Sequence, residues 1–295
     1  MDNTEAFRQI LSKLPHAVKE ELEILPQSVI EGTEEIRLRC GQNVRFQGQG
    51  CEKIVSHIVT SEDLVKTLNS LIKYSYYAYE EDLAKGFITI EGGHRVGICG
   101  KAVVKKGETS LIREISSVNI RFCKEIKGCA DDIADILTDE NGNPLNTIVV
   151  SPPCCGKTTL LRDIARMLSY KGTKVAVCDE RSEIAGMYCS VPSFDLGPRT
   201  DVLDGAPKAQ GIEMLIRSMS PQVIVTDEIG KKEDLGAIEQ CITSGVALVS
   251  SIHGSCPDDL NSSVVGAFAA KGFFRNIIYL SRDRGPGTVA EVVHV

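Results

Sequence analysis

At 295 residues the chain is long enough for two domains that each bury a core of their own. Its 42% hydrophobic and 25% charged residues suit a water-soluble globular protein, and neither an 18-residue apolar run nor a signal-peptide pattern over residues 1–14 directs it into or across a membrane. A formal charge of −7 and a pI near 5.4 lack the basic footprint of a protein that tracks extended nucleic acid. Eleven scattered cysteines, without a Cys-x-x-Cys pair or matching histidine spacing, argue against a zinc site and for reduced thiols in the cytoplasm.

Residues 1–125 read as one α/β unit. Leu11–Leu25 and Ser61–Leu71 have helical spacing, the second with Ser61 as N-cap and with Glu62 and Asp63 in the first turn. Between them Glu35–Cys40 alternates like a half-buried strand and stops at Gly41. Tyr74, Tyr76, Tyr77 and Tyr79 form an aromatic cluster expected to pack at a helix end. Phe87–Ile90, the turn Glu91-Gly92-Gly93 and Arg95–Gly100 read as a hairpin, followed by strands at 101–105 and 109–122 around a Lys106-Gly107 turn.

Residues 126–295 read as a nucleotide domain. A helix near 130–138 and the turn-rich stretch 139–144 lead to a buried strand at Asn146–Val150, then to a helix over Lys157–Tyr170 closed by Lys171 and Gly172. Four further apolar runs begin at Val175, Val223, Ala247 and Asn276. Strands alternating with helices imply a mainly parallel sheet covered on both faces, with the Ala247–Ile252 strand inserted beside the first. The Gly/Pro-rich connection 195–211 is long for a compact domain, and such length marks function or mobility.

The strand at 146–150 runs into Ser151, Pro152, Pro153, Cys154, Cys155, Gly156, Lys157, Thr158 and Thr159, a phosphate-binding loop whose strict half, Gly-Lys-Thr, is intact. Backbone N–H groups at the helix start would cradle the phosphates of ATP, Lys157 would reach the β and γ groups, and the Thr158 hydroxyl would hold Mg2+. Ser151 and Cys154 stand where such loops carry glycine, so strain or an altered loop shape is expected there. An exposed Cys155 at the helix start would be a reactive thiol.

Two strands end in acidic pairs, Asp179-Glu180 and Asp227-Glu228, at the edge where open α/β sheets bind ligands. The second fits the Walker B role better: Asp227 would bind Mg2+ and Glu228 would orient or deprotonate the attacking water. Glu180 is a second candidate metal ligand and Glu183 a second catalytic candidate, although acids there also serve as helix caps. His253, at the tip of the inserted strand, is placed to sense the γ-phosphate.

With these pieces in place the chain resembles the secretion ATPase superfamily, the motors of type II secretion and type IV pili, and within it the sporulation branch. The resemblance rests on Glu35–Arg39 and Gly93–Gly100 in the first half. In the second it rests on Gly156–Asp163, Asp179–Gly186, Gly197–Leu203 and Thr226–Gly230. It implies an N-terminal α+β domain followed by a RecA-like P-loop NTPase domain, an Asp box over Asp179–Glu183, a Walker B at Asp227 and Glu228, and a His box at His253. It also implies a homo-oligomer, a hexameric ring with closed symmetry, and an N-terminal arginine reaching the phosphate, for which Arg95, Arg113 and Arg121 are the candidates. The sporulation branch further implies a mother-cell cytoplasmic motor, without a membrane span and without nucleic acid, docked on a membrane-protein partner to energise a trans-envelope channel between mother cell and forespore. The helical extension common after the last strand in pilus motors is missing, and residues 286–295 are expected to form at most a short strand. Two rivals are a non-hydrolysing nucleotide-dependent scaffold of the same complex and a RecA-like nucleic-acid motor.

Overall fold

Pro15 and Pro26 cut the N-terminal stretch into three short helices, α1 (Asn3–Leu11), α2 (His16–Glu23) and α3 (Gln27–Gly32), in place of the single helix expected over Leu11–Leu25. The residue before a proline is driven out of the helical region, so one continuous helix cannot pass residue 15. The computed structural model describes residues 3–23, 25–48, 51–105, 107–283 and 285–295. Its contacts divide the chain into two units, residues 1–124 and 125–295, each with its own core.

The first unit continues with β1 (Glu35–Arg39), β2 (Asn43–Gly48), β3 (Cys51–Ile58), α4 (Ser61–Leu71), α5 (Glu80–Lys85), β4 (Phe87–Ile90), β5 (His94–Lys105) and β6 (Glu108–Arg121). The six strands pair antiparallel in the order β3-β2-β1-β6-β5-β4. One sheet face carries Ile36, Leu38, Val96, Ile98, Val118 and Ile120 into a core shared with Phe7, Leu22, Leu64 and Leu68. Alternate positions of β1, β5 and β6 therefore put Arg37, Arg95 and Arg121 on the other face. Helix α4 is capped by Thr60 rather than Ser61: the Thr60 side chain accepts from the Asp63 N–H while Asp63 returns a bond to the Thr60 N–H. Of the tyrosine cluster Tyr79 packs against the core as expected, whereas Tyr74, Tyr76 and Tyr77 are exposed, Tyr77 by 93%. The expected Lys106-Gly107 turn falls at residue 106, outside the described residues.

The second unit opens with a 3-10 turn at Asp131–Ile136, where a longer helix is expected, and continues into β7 (Thr147–Ser151), α6 (Lys157–Tyr170) and β8 (Val175–Asp179). A two-residue ladder, β9 (Met187–Tyr188) with β10 (Val191–Pro192), precedes β11 (Thr200–Asp204) and α7 (Lys208–Met219). Then come β12 (Val223–Glu228), α8 (Leu235–Ser244), β13 (Ala247–His253), α9 (Pro257–Ser262), α10 (Gly266–Ala270), β14 (Asn276–Ser281) and β15 (Thr288–His294). The seven-stranded sheet runs β11-β8-β12-β13-β7-β14-β15, parallel throughout except at β15, with β13 seated between β12 and β7. Helix α6 covers one face, where Val149, Val177, Val225 and Val249 are buried, and α7, α8, α9 and α10 cover the other. Among the described residues no helix is long and apolar enough to cross a membrane.

His94 is a buried titratable group in the first unit, 2% exposed, its ring tilted against that of Phe122 with centroids 5.4 Å apart. Its Nδ1 accepts the Cys123 N–H at 3.1 Å, so the neutral ring carries its proton on Nε2. Burial pushes the imidazole down to about 4 from 6.5. The folded protein thus keeps a neutral histidine that the unfolded chain protonates first, and the stability this represents is lost as pH falls from 6.5 towards 4. At ~1.4 kcal/mol per unit the loss amounts to about 3 kcal/mol. Urea unfolding at pH 7 and pH 4 should show that extra loss in the wild type and its absence in His94→Gln, which keeps an acceptor but cannot charge.

Candidate nucleotide site

Strand β7 is buried along its whole length and delivers the loop 152–156 to the start of α6. Gly156 takes a φ of +91°, where a Cβ would lie 2.6 Å from the Gly287 nitrogen, so glycine is required by both conformation and space. Ser151 is the last strand residue and lies outside the left-handed region, so it carries none of the strain expected of it. Cys154 does carry it, with a φ of +58°, a placement that costs a non-glycine residue about 1 kcal/mol. The segment between β14 and β15 braces this loop. Arg282 donates from Nε and Nη2 to the Cys154 carbonyl at 3.1 and 2.7 Å, and the Gly287 N–H donates to the Cys155 carbonyl at 2.7 Å. Cys155 is buried, so the exposed loop thiol is Cys154 instead.

Strand β12 pairs in register with β13 up to Val225 and Val249, but Glu228 then faces Ser251, so β12 carries one extra residue there. A bulge of this kind re-aims the side chains beside it. The Thr226 hydroxyl donates to the Cys178 carbonyl at 2.8 Å, and the Ser250 hydroxyl donates to the Asp227 carbonyl at 2.6 Å, pinning the bulged tip on both sides. Asp227 and Glu228 then enter two separate networks.

In the first network the Lys157 ammonium donates to the Ser151 carbonyl at 3.1 Å and to His253 Nδ1 at 2.8 Å. An ammonium cannot accept, so Nδ1 is the acceptor, and the neutral ring presents Nε2–H to Glu228 Oε2 at 2.7 Å. Burial holds the Lys157 amine below its ordinary range, against the pull of Glu228. In the second network the ammonium of Lys208, the first residue of α7, contacts Glu180 and lies 2.7 Å from Asp227 Oδ1. Burial pushes the Asp227 carboxyl up to about 6 although Lys208 pulls it down, which leaves it ionised at neutral pH. Burial also opposes the Lys208 charge, yet the two carboxylates raise its pKa.

Asp179, fully buried at the tip of β8, accepts the N–H groups of Glu183, Ile184 and Ala185 at 2.9, 3.0 and 2.8 Å. Its role in this structure is to shape the 180–185 loop. The same loop is held from α6 by Arg162, which donates to the Glu183 and Ile184 carbonyls and stacks over Phe194 at 3.7 Å. Glu183 therefore sits in a loop fixed from two sides.

A sequence model of the family described as "Sporulation stage III, protein AA" matches residues 1–294. The chain belongs to the stage III sporulation protein AA family. A relative in this family, the stage III sporulation protein AA of Bacillus subtilis (strain 168), is 39% identical over 293 residues, 97% of this chain and 94% of that protein. Among solved structures, the ATPase DotB of Legionella pneumophila superimposes with a TM-score of 0.55 at 17% identity, over 84% of this chain and 72% of that one. The pilus retraction motor PilT, solved with bound ADP, does so with a TM-score of 0.57 at 14% identity, over 89% and 76%. The chain thus has the secretion-ATPase fold, mixed α/β with a RecA-like sheet.

The structure joins Lys157, His253 and Glu228 in a chain of direct contacts, and brings Asp227 and Glu180 together only through Lys208, which touches both. Thr158 and Thr159 lie half-buried in the first turn of α6. Among the described residues no group of three or more His, Cys, Asp or Glu is arranged to hold a metal alone. A magnesium ion, which keeps waters and takes one or two carboxylates plus phosphate oxygens, is compatible with Asp227 as a ligand. The fitting observation is that buried Asp227 Oδ1 has no aligned hydrogen-bond donor among the described residues, only the charge of Lys208. Arg95 and Arg121 face each other across the β5–β6 pair, whereas Arg113 lies roughly 25 Å along β6 from Arg121. The three therefore cannot serve one phosphate together. Arg217 pairs with Glu213 on its own helix. Lys208 and Arg282 were not marked by any motif; the only sign of Lys208 is its place after Pro207 at a helix start.

Asp179→Ala would leave three N–H donors without their acceptor and should lower stability by about 3 kcal/mol or more. Asp179→Asn, which keeps one acceptor oxygen, should fall between the two in a urea titration.

Proposed function

We propose that this member of the stage III sporulation protein AA family is a Mg2+-dependent ATPase that works as a secretion-type motor. The observation that carries the reading is the contact chain from Lys157 through His253 to Glu228, which links the phosphate loop to the acidic strand tip. A γ-phosphate beside Lys157 offers its ammonium a stronger partner than two carbonyls and an imidazole. Lys157 turning to that phosphate leaves His253 bonded to Glu228, with its Nδ1 available to report the exchange. Glu228 then orients the attacking water and takes its proton as general base. Thr158 and Asp227 would hold Mg2+, which neutralises charge on the phosphates when bound.

In this reading residues 1–125 form the N-terminal domain and residues 126–295 the RecA-like ATPase domain, and hydrolysis moves one against the other. The Asp box residues Glu180 and Glu183 line the site, and one of Arg95, Arg113 and Arg121 supplies positive charge to the phosphate. The protein works as a homo-oligomeric ring of six on the mother-cell side, bound to a membrane-protein partner, and energises a channel between mother cell and forespore. The name of the B. subtilis relative supports the sporulation role, and those of the ATPase DotB and the retraction motor PilT support a motor ATPase.

Lys157→Ala should weaken binding of a fluorescent ATP analogue at least tenfold and abolish turnover. Glu228→Gln should bind the analogue normally while its single-turnover hydrolysis falls about 100-fold, the scale of a lost general base. Undiminished hydrolysis by Lys157→Ala would sink the ATPase reading, and equal single-turnover rates for Glu228→Gln and wild type would favour a nucleotide-dependent scaffold.

A further inference from the structure

Lys208 is an unusual place for a charge. It is 6% exposed, and it opens α7, where the helix dipole disfavours a cation. Taking an ammonium out of water costs several kcal/mol unless it is well paired. The pairing comes from two different strand tips, Glu180 after β8 and Asp227 on β12. The bulge in β12 lies at that same point, between Val225 and Glu228.

Anchoring α7 does not require this lysine. Ile212 and Leu215 bury the helix in the core, and at Gly211 it approaches β8 so closely that a Cβ would lie 2.6 Å from Cys178 Sγ. The contact with Asp227 Oδ1 is also short but poorly aligned as a hydrogen bond, so what it supplies is charge compensation rather than a directional pin. Asp227 Oδ1 is an oxygen a divalent cation would take, and two cations within a few ångströms repel each other strongly in a buried setting.

We propose that Lys208 is a tethered counter-ion competing with the divalent metal for Asp227: the metal displaces the ammonium from Asp227, and the ammonium remains on Glu180. The identity of the metal as Mg2+ rests on the ATPase reading; the competition itself does not. Lys208 is thereby a positioning residue. Because it opens α7 directly after the 195–207 connection, its displacement carries metal arrival into that segment. Glu180 serves as the ammonium's resting partner and is not a metal ligand.

The test uses the full chain without nucleotide. Mn2+ binding, followed by electron paramagnetic resonance of the free ion, should be at least tenfold tighter in Lys208→Met than in wild type, while Lys208→Arg, which keeps the charge, stays near wild type. Equal or weaker Mn2+ binding by a Lys208→Met protein with a wild-type circular dichroism spectrum overturns the inference. On the wild type itself, amine acylation followed by peptide mass spectrometry should show Lys208 reacting several-fold faster in saturating Mg2+ than without it. Reactivity unchanged by the metal overturns it as well, and this arm decides alone if Lys208→Met does not fold. A protein that binds no ATP yet shows both metal effects would refute the ATPase reading and leave the tethered counter-ion standing.

Discussion

Parallel pairing of four buried strands, in register except at the bulge in β12, is the constraint on which the candidate site depends. Strands β8, β12, β13 and β7 are aligned so that Ser151 lies opposite His253 and Cys178 opposite Thr226, which gathers their C-terminal tips along one edge of the sheet. Slipping any one of them by a residue would exchange its two buried faces and turn its tip residue away. The strands tolerate no such slip because both of their faces are apolar and covered.

Within that frame the bulge in β12 divides the labour of two adjacent carboxylates. Without it Asp227 and Glu228 would simply alternate across the sheet; with it, Asp227 meets the Lys208 ammonium and Glu228 meets the His253 ring. Glu228 meets Lys157 through His253, so the ring separates the carboxylate from the ammonium. Asp227 and Lys208, by contrast, touch directly. The phosphate loop shows the same economy: Cys154 holds a conformation meant for glycine, and two charged hydrogen bonds from Arg282 fix its carbonyl.

The second unit was more legible than the first because its signals are stronger. An apolar strand, a Gly-Lys-Thr turn and a periodic helix identify β7 and α6 nearly to the residue, and the order of the apolar runs places β13 beside β7. β11 escaped notice because its Thr-Asp-Val-Leu-Asp pattern lies within a Gly/Pro-rich connection and forms an edge strand. In the first unit β2 and β3 were missed: their outward positions include Arg45, Gln47 and Glu52, which dilute the apolar alternation. The splitting of the first helix was written in Pro15, but its period looked continuous across it. Lys208 and Arg282 are a different case. Their roles arise from residues 19 and 128 positions away, Asp227 and Cys154, and no local pattern of residue types encodes that pairing.

The brace from the β14–β15 segment bears on the order in which the protein matures during synthesis. The phosphate loop leaves the ribosome with β7 and α6, yet Arg282 and Gly287, which fix its carbonyls, are translated long afterwards. Contacts so distant in sequence form late. A nascent chain that already holds Lys157, Asp227, Glu228 and His253 therefore still has an unbraced loop, and the loop takes its final shape only when the last hairpin has paired.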